Sequence, residues 1–358
     1  MEAGRRKISA VTNLPLRPIH SSAGHRPYKQ APSRNPFRAM KGTVVKKLDY
    51  DLVGEQLFSN PKVRARIERH YRLPTDAATA SQFLDYAVRH LDQEAMDNPL
   101  TQTYSNQQVF KAAVNALGSN SRSWASFVKV RDQHLEGLLH GFDPEKTHTA
   151  ILDGTVTLTD IREHLSGQSG IGDARAIVRW AALLTAQPNY YQQILVIARA
   201  FVDLAADADH PLDNEHLMMC LAGYLIAPPR RWPGDKHIDT DILLMTPRER
   251  DLPGMGYPLA SEFLRNLHWN GFKPDRHITR LLRLWVPELR DTVDPDVDRL
   301  CRLIGSRNQS LRYFLKYSLI GVAITPDGNY SRADNLIWML GAYLEKKNKE
   351  SDVQYIHD

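Results

Sequence analysis

Apolar residues along this chain recur at intervals of three and four rather than in alternation, which is the signature of helices with one buried face. Between about residues 48 and 167 the sets Phe83, Leu84, Ala87, Val88, Leu91 and Trp124, Phe127, Val128 share that spacing and predict a helical lobe. After Gly172 the pattern predicts helices over about 173–186, 190–206, 213–226, 257–268, 276–285, 296–304, 309–320 and 332–346. The segment Ala227-Pro228-Pro229-Arg230-Arg231-Trp232-Pro233-Gly234 breaks the series, because three prolines fix φ and remove donors that a helix needs. A short extended piece is expected at Thr155, Val156 and Thr157, after the Asp153-Gly154 turn. No repeat of about 20 to 50 residues is evident, so a solenoid is disfavoured. The expected fold class is all-α.

Charge adds an arm to this picture. Between Glu2 and Asp49 there is no acidic residue, while Lys and Arg run from Arg5 to Lys47 among Pro, Ser and Gly. Such a segment buries too little apolar surface to offset its ordering entropy. The expected organisation is a disordered basic arm over 1–47, a helical lobe over 48–167, a second helical domain over 168–347 and a tail over 348–358. The arm either tracks a phosphate backbone or is a passive tail, with Met40 an alternative start. A net charge of +5 agrees with a polyanionic partner without identifying one. Cys220 and Cys301 stand far apart without metal-ligand spacing, so neither a disulfide framework, a zinc site nor an iron-sulfur cluster is expected, and no cofactor or metal. No long apolar run or signal segment is evident, which gives the expectation of a soluble, cytoplasmic protein.

Candidate chemistry concentrates in Leu252-Pro253-Gly254-Met255-Gly256-Tyr257-Pro258-Leu259-Ala260. Two glycines one residue apart permit positive φ and close backbone approach, and Pro258 suits the first turn of the helix that follows. The amides opening that helix are an anion site, because they lack intrahelical acceptors and lie at the positive end of the dipole. Past a turn at Asn270-Gly271 comes Phe272-Lys273-Pro274-Asp275-Arg276-His277-Ile278-Thr279-Arg280. Asp275 before a helix has an ordinary use as an N-cap, worth about 1 kcal/mol against Ala. A fixed carboxylate in a partly dry site can also carry chemistry, by stabilising developing positive charge or orienting water. The two uses are compatible.

This hairpin, apolar helix, Gly-rich turn and Pro-Asp resembles the helix-hairpin-helix-GPD superfamily of base-excision DNA glycosylases, over residues of about 170–345. Asp275, His277 and Arg280 match the family's Asp-x-His-x-x-Arg setting, and Leu183-Leu184-Thr185-Ala186-Gln187 is similar to the segment presenting a glutamine to the DNA stack. The resemblance implies a two-lobed helical glycosylase domain, duplex DNA gripped through its phosphates, Asp275 as the catalytic carboxylate, and Gly254, Met255, Gly256, Tyr257 and Gln187 against DNA. Pro258 stands where bifunctional members carry a lysine nucleophile, which implies a monofunctional enzyme without lyase activity. Lys273, Arg276 and Arg280 are candidates for a phosphate clamp around Asp275, or else a solvated face. Trp232 and Trp269, with Tyr257, are candidates for a base pocket and equally for plain core, while Tyr190 and Tyr191 are candidates for the pocket by filling the gap of a flipped base or stacking beside it, their commoner use being half-buried packing. Gly170-Ile171-Gly172 reads as a helix start. The expected activity is hydrolytic removal of a damaged or modified base, in repair or in defence against hypermodified phage DNA. The alternative is a non-enzymatic DNA-binding protein that keeps the hairpin as a backbone clamp.

Overall fold

The computed structural model describes residues 46–91, 95–96, 98–120, 122–238, 243–246, 248–345 and 353–357. The basic arm expected over 1–47 thus lies, but for Lys46 and Lys47, outside the described residues. Helices of six residues or more are numbered along the chain. The first part contains α1 (Tyr50–Ser59), α2 (Pro61–Tyr71), α3 (Ala80–Leu91), α4 (Asn106–Gly118), α5 (Trp124–Val130), α6 (Pro144–Leu152) and α7 (Leu158–Glu163). Then come α8 (Gly170–Ala186), α9 (Tyr190–Asp207), α10 (Asn214–Ile226), α11 (Tyr257–Arg265), α12 (Arg276–Trp285), α13 (Asp294–Ile304), α14 (Gln309–Ile324) and α15 (Tyr330–Met339). The fold class is all-α, and among the described residues no helix is long and apolar enough to cross a membrane.

Local chemistry sets the helix ends. Ser105 caps α4 in a reciprocal box with Gln108, Asn60 caps α2 with Pro61 in its first turn, and Gly305 closes α13 at φ 74°. Thr155–Thr157 forms no strand: Thr157 caps α7, with Asp160 returning the bond, so the end of this β-branched stretch serves a helix start instead. The structure adds two short strands, Lys47–Leu48 against Ile356–His357, antiparallel with Lys47 opposite His357. Tyr355 beside them is fully buried, so part of the segment expected as a tail packs into the protein.

The core centres on α10, whose residues from Glu215 to Leu225 are all buried. Helix α11 packs on α10 and α4, α8 on α4 and α6, and α12 on α14 and α15. Helices on both sides of residue 167 therefore pack directly together, as α4 with α8 and α11.

Candidate functional site

The loop before α11 is seated from below. Trp180 of α8, itself fully buried, donates its indole N–H to Pro253 O at 3.1 Å, and Leu252 N donates to Leu225 O at 2.9 Å. Gly254 adopts φ +72°, and a Cβ there would overlap the Ala176 methyl group. Glycine is therefore required at 254 both by conformation and by close approach to α8. Gly256 differs from the sequence expectation: its φ of −105° is ordinary, and a Cβ would meet nothing within 4 Å. It caps α11 with no side chain to offer, leaving the first-turn amides for another acceptor. The approach to this turn also departs from a tight helix-hairpin-helix. Thr246 O accepts from the Glu249 and Arg250 amides and Thr246 N donates to the Glu249 carboxylate, so the described residues just before Leu252 form turns and not a helix.

Asp275 faces this turn across a cavity of about 480 Å³. Its Oδ1 accepts the amide hydrogens of His277 at 2.7 Å and Ile278 at 3.1 Å, so this oxygen is the N-cap of α12. Oδ2 has no hydrogen-bond partner among the described residues, and Asp275 lines the cavity. Capping thus occupies only one of the two oxygens, and it restrains the orientation of the whole carboxylate.

The cavity brings together Gly254, Gly256, Pro258, Lys273, Asp275, Arg276 and His277, all from the two motifs read in the sequence. Lys273 Nζ donates to Ser119 Oγ at 2.9 Å and lies 3.8 Å from Glu262. Arg276 is exposed at the rim. His277 Nδ1 lies 2.9 Å from Gly341 O, and burial, with Arg276 and Arg280 nearby, holds the imidazole below its usual pKa against the opposing pull of Asp275.

Other expected residues lie elsewhere. Tyr190, Tyr191 and Trp269 are fully buried and Trp232 nearly so, and none lines the cavity. Trp269 donates its indole N–H to Tyr191 Oη at 3.0 Å, while Trp232 packs on Phe201 and Tyr224 and donates to Leu303 O at 2.8 Å. These four sit in this structure as core aromatics, their polar tips mostly matched inside the fold, which is the core alternative that the sequence also offered. Tyr257 stacks on Phe314 and Met255 is buried. Gln187 is also buried, donating to Glu249 at 3.0 Å and accepting from Gln193 at 3.3 Å, so in this conformation it holds the turn before the hairpin. Arg280 donates to Gly341 O and Glu345 O, which caps the C-terminal end of the π-helical turn Leu340–Leu344 rather than facing the cavity.

Sequence reasoning missed the rest of the wall. Ser119, Asn120, Arg122 and Trp124 reach the cavity from the first helical part. Arg122 anchors them: it is paired with Asp173 at the start of α8 and donates to Leu117 O and Ser169 Oγ. Behind Lys273 sits a buried network in which Arg265 donates to Asp334 at 2.5 Å, to Asn335 at 2.5 Å and to Glu262 at 3.3 Å. Burial dominates at Asp334 and pushes its carboxyl up to about 7, against the pull of Arg265 and of the Lys273 amide; Asp275 and Glu262 push it the same way as burial. Charged residues at 262, 265 and 334 on otherwise apolar helical faces were the available signal.

No protein-family model, curated protein or solved structure matches this chain.

Proposed function

We propose that the protein is a monofunctional DNA glycosylase that flips a damaged or modified base from duplex DNA and hydrolyses its N-glycosidic bond. The observation that supports this reading is the state of Asp275, a residue lining the cavity whose Oδ1 is held by two amides and whose Oδ2 has no hydrogen-bond partner among the described residues. Across that cavity are the exposed glycines and the open amide end of α11. As the base departs, positive charge builds on the sugar, and a pre-oriented carboxylate stabilises that charge without reorganising. The α11 amides would receive a backbone phosphate next to the flipped nucleotide, while exposed Arg276 adds positive charge at the rim. Pro258 lines the cavity and has no amine, so water rather than the protein would take the sugar.

The test is a panel of duplexes carrying alkylated, oxidised, deaminated and glucosylated bases, assayed for alkali-labile abasic sites. Release of a base without strand scission before alkali supports the reading. Duplex binding that falls steeply with salt, with no base released across the panel, would instead favour the non-enzymatic DNA-binding alternative.

A further inference from the structure

Away from the cavity, the start of α10 gathers two carboxylates and an imidazole within one turn. Asp213 is the residue before the helix, yet its side chain makes no capping bond; it turns toward His216, with Oδ2 3.8 Å from Nδ1. Glu215 is buried and accepts from Tyr330 Oη at 3.1 Å. His216 is 1% exposed, and its Nε2 is shielded from solvent with no hydrogen-bond partner, leaving the approach to Asp213 as the ring's polar contact. An imidazole buried without hydrogen bonds is unusual, because each such group forfeits its hydration without replacement. Arg299, whose charge reaches this cluster, makes its ion pair with Asp296 at 3.4 Å.

We propose that Asp213, Glu215 and His216 bind one divalent first-row cation of the zinc type. One ligand atom from each lies within 4.8 Å of the others. Small side-chain movements bring these donors to the separation of about 3.4 Å that a tetrahedral ion at about 2.1 Å requires. A mixed set of one imidazole and two carboxylates suits zinc-type ions better than magnesium or calcium, which prefer oxygen alone. Water completes the shell on the half-exposed Asp213 side. The cysteine pattern gave no hint of this site, because its ligands are two carboxylates and a histidine within four residues of sequence.

The ion has a structural use. Tyr330, which holds Glu215 from outside the ligand set, is the first residue of α15, and Asp334 and Asn335 in the cavity wall follow one turn later. Fixing Glu215 therefore fixes the start of the helix that supports the cavity. Orienting ligands through an outer hydrogen bond of this kind is general in metal sites.

The experiment strips the full-length protein with chelator, dialyses it against zinc ion alone, and counts bound metal while recording the melting temperature. One equivalent is expected, with a higher melting temperature than the stripped protein. The double variant Asp213→Asn, Glu215→Gln should lose both the equivalent and the shift. X-ray absorption on the unaltered protein gives a second reading that needs no variant, with one imidazole and oxygen neighbours at about 2.0–2.1 Å expected and no sulfur. No bound equivalent, an equivalent that survives in the variant, or a sulfur-ligated spectrum would each overturn the proposal.

Discussion

The Lys273 amide donates to Asp334 Oδ1 at 2.8 Å, so the loop that presents Asp275 is hung from a carboxylate on α15. The other oxygen of Asp334 accepts from Arg265 of α11. One buried side chain thus ties the helix after the glycine turn to the loop before α12, across the floor of the cavity. Asp334→Ala should cost about 1–3 kcal/mol, because it removes one of the two carboxylates paired with Arg265 and leaves the Lys273 amide without its acceptor. Asp334→Asn should cost clearly less, since its amide oxygen still accepts from Lys273. Urea unfolding of the two variants checks the order, and equal costs would mean the loop does not hang from this residue.

Asp334 also predicts a pH dependence. Its folded carboxyl titrates near 7, above the ordinary value of 3.8, so between those limits the native state holds a proton that the unfolded chain has released. The stability this group contributes is complete below about pH 4 and is lost as pH rises through 7, by at most about 1.4 kcal/mol per unit. Unfolding free energies measured between pH 5 and 8 should therefore fall less steeply in Asp334→Asn than in the parent. An unchanged slope would contradict the assignment.

The two glycines should behave differently. Gly254→Ala forces a side chain onto a left-handed residue and against Ala176, and should destabilise the fold by about 1–3 kcal/mol. Gly256→Val meets open space and should leave the melting temperature within about 2 °C of the parent. It should nevertheless weaken binding to unmodified and substrate duplexes by a similar factor, because a bulky group there obstructs a phosphate and not a base. Unweakened binding across a salt titration would make Gly256 a plain turn residue.

Strand scission gives a separate check. With Pro258 opposite Asp275 in the cavity wall, borohydride should trap no adduct on an abasic duplex. A trapped band that disappears in Lys273→Ala would reassign the chemistry to the Lys273 amine, which also lines the cavity.

Much of this was legible locally. Helices α8 to α14 follow the three-four spacing, with ends within a few residues of expectation, because the spacing of apolar positions is a local signal; α15 ends at Met339 instead of 346, where it passes into the π-helical turn Leu340–Leu344. The juxtaposition of Gly254, Gly256 and Asp275 was legible too, since a short helix and a turn bring them back together. Long-range partners were not. Tyr191 and Trp269 each carried both a pocket and a packing reading, and only the fold shows them buried and bonded to each other. Arg280 and Gln187 carry groups suited to DNA, and only tertiary packing shows them bonded to Glu345 O and to Glu249. The contribution of Asn120, Arg122 and Trp124 depends on the Arg122–Asp173 pair across 51 residues of sequence, for which no local pattern exists.

The central claim rests on the free oxygen of Asp275, and Asp275→Asn addresses it directly. Asn is among the best N-caps, so its side-chain oxygen can still accept from His277 and Ile278, and the fold and DNA affinity should persist. The charge facing the cavity is lost. On the duplex from which the parent releases a base, single-turnover base release by Asp275→Asn should fall by about 10² or more while the dissociation constant stays within a few-fold. Base release at the parental rate by a folded, DNA-bound Asp275→Asn protein would contradict the account.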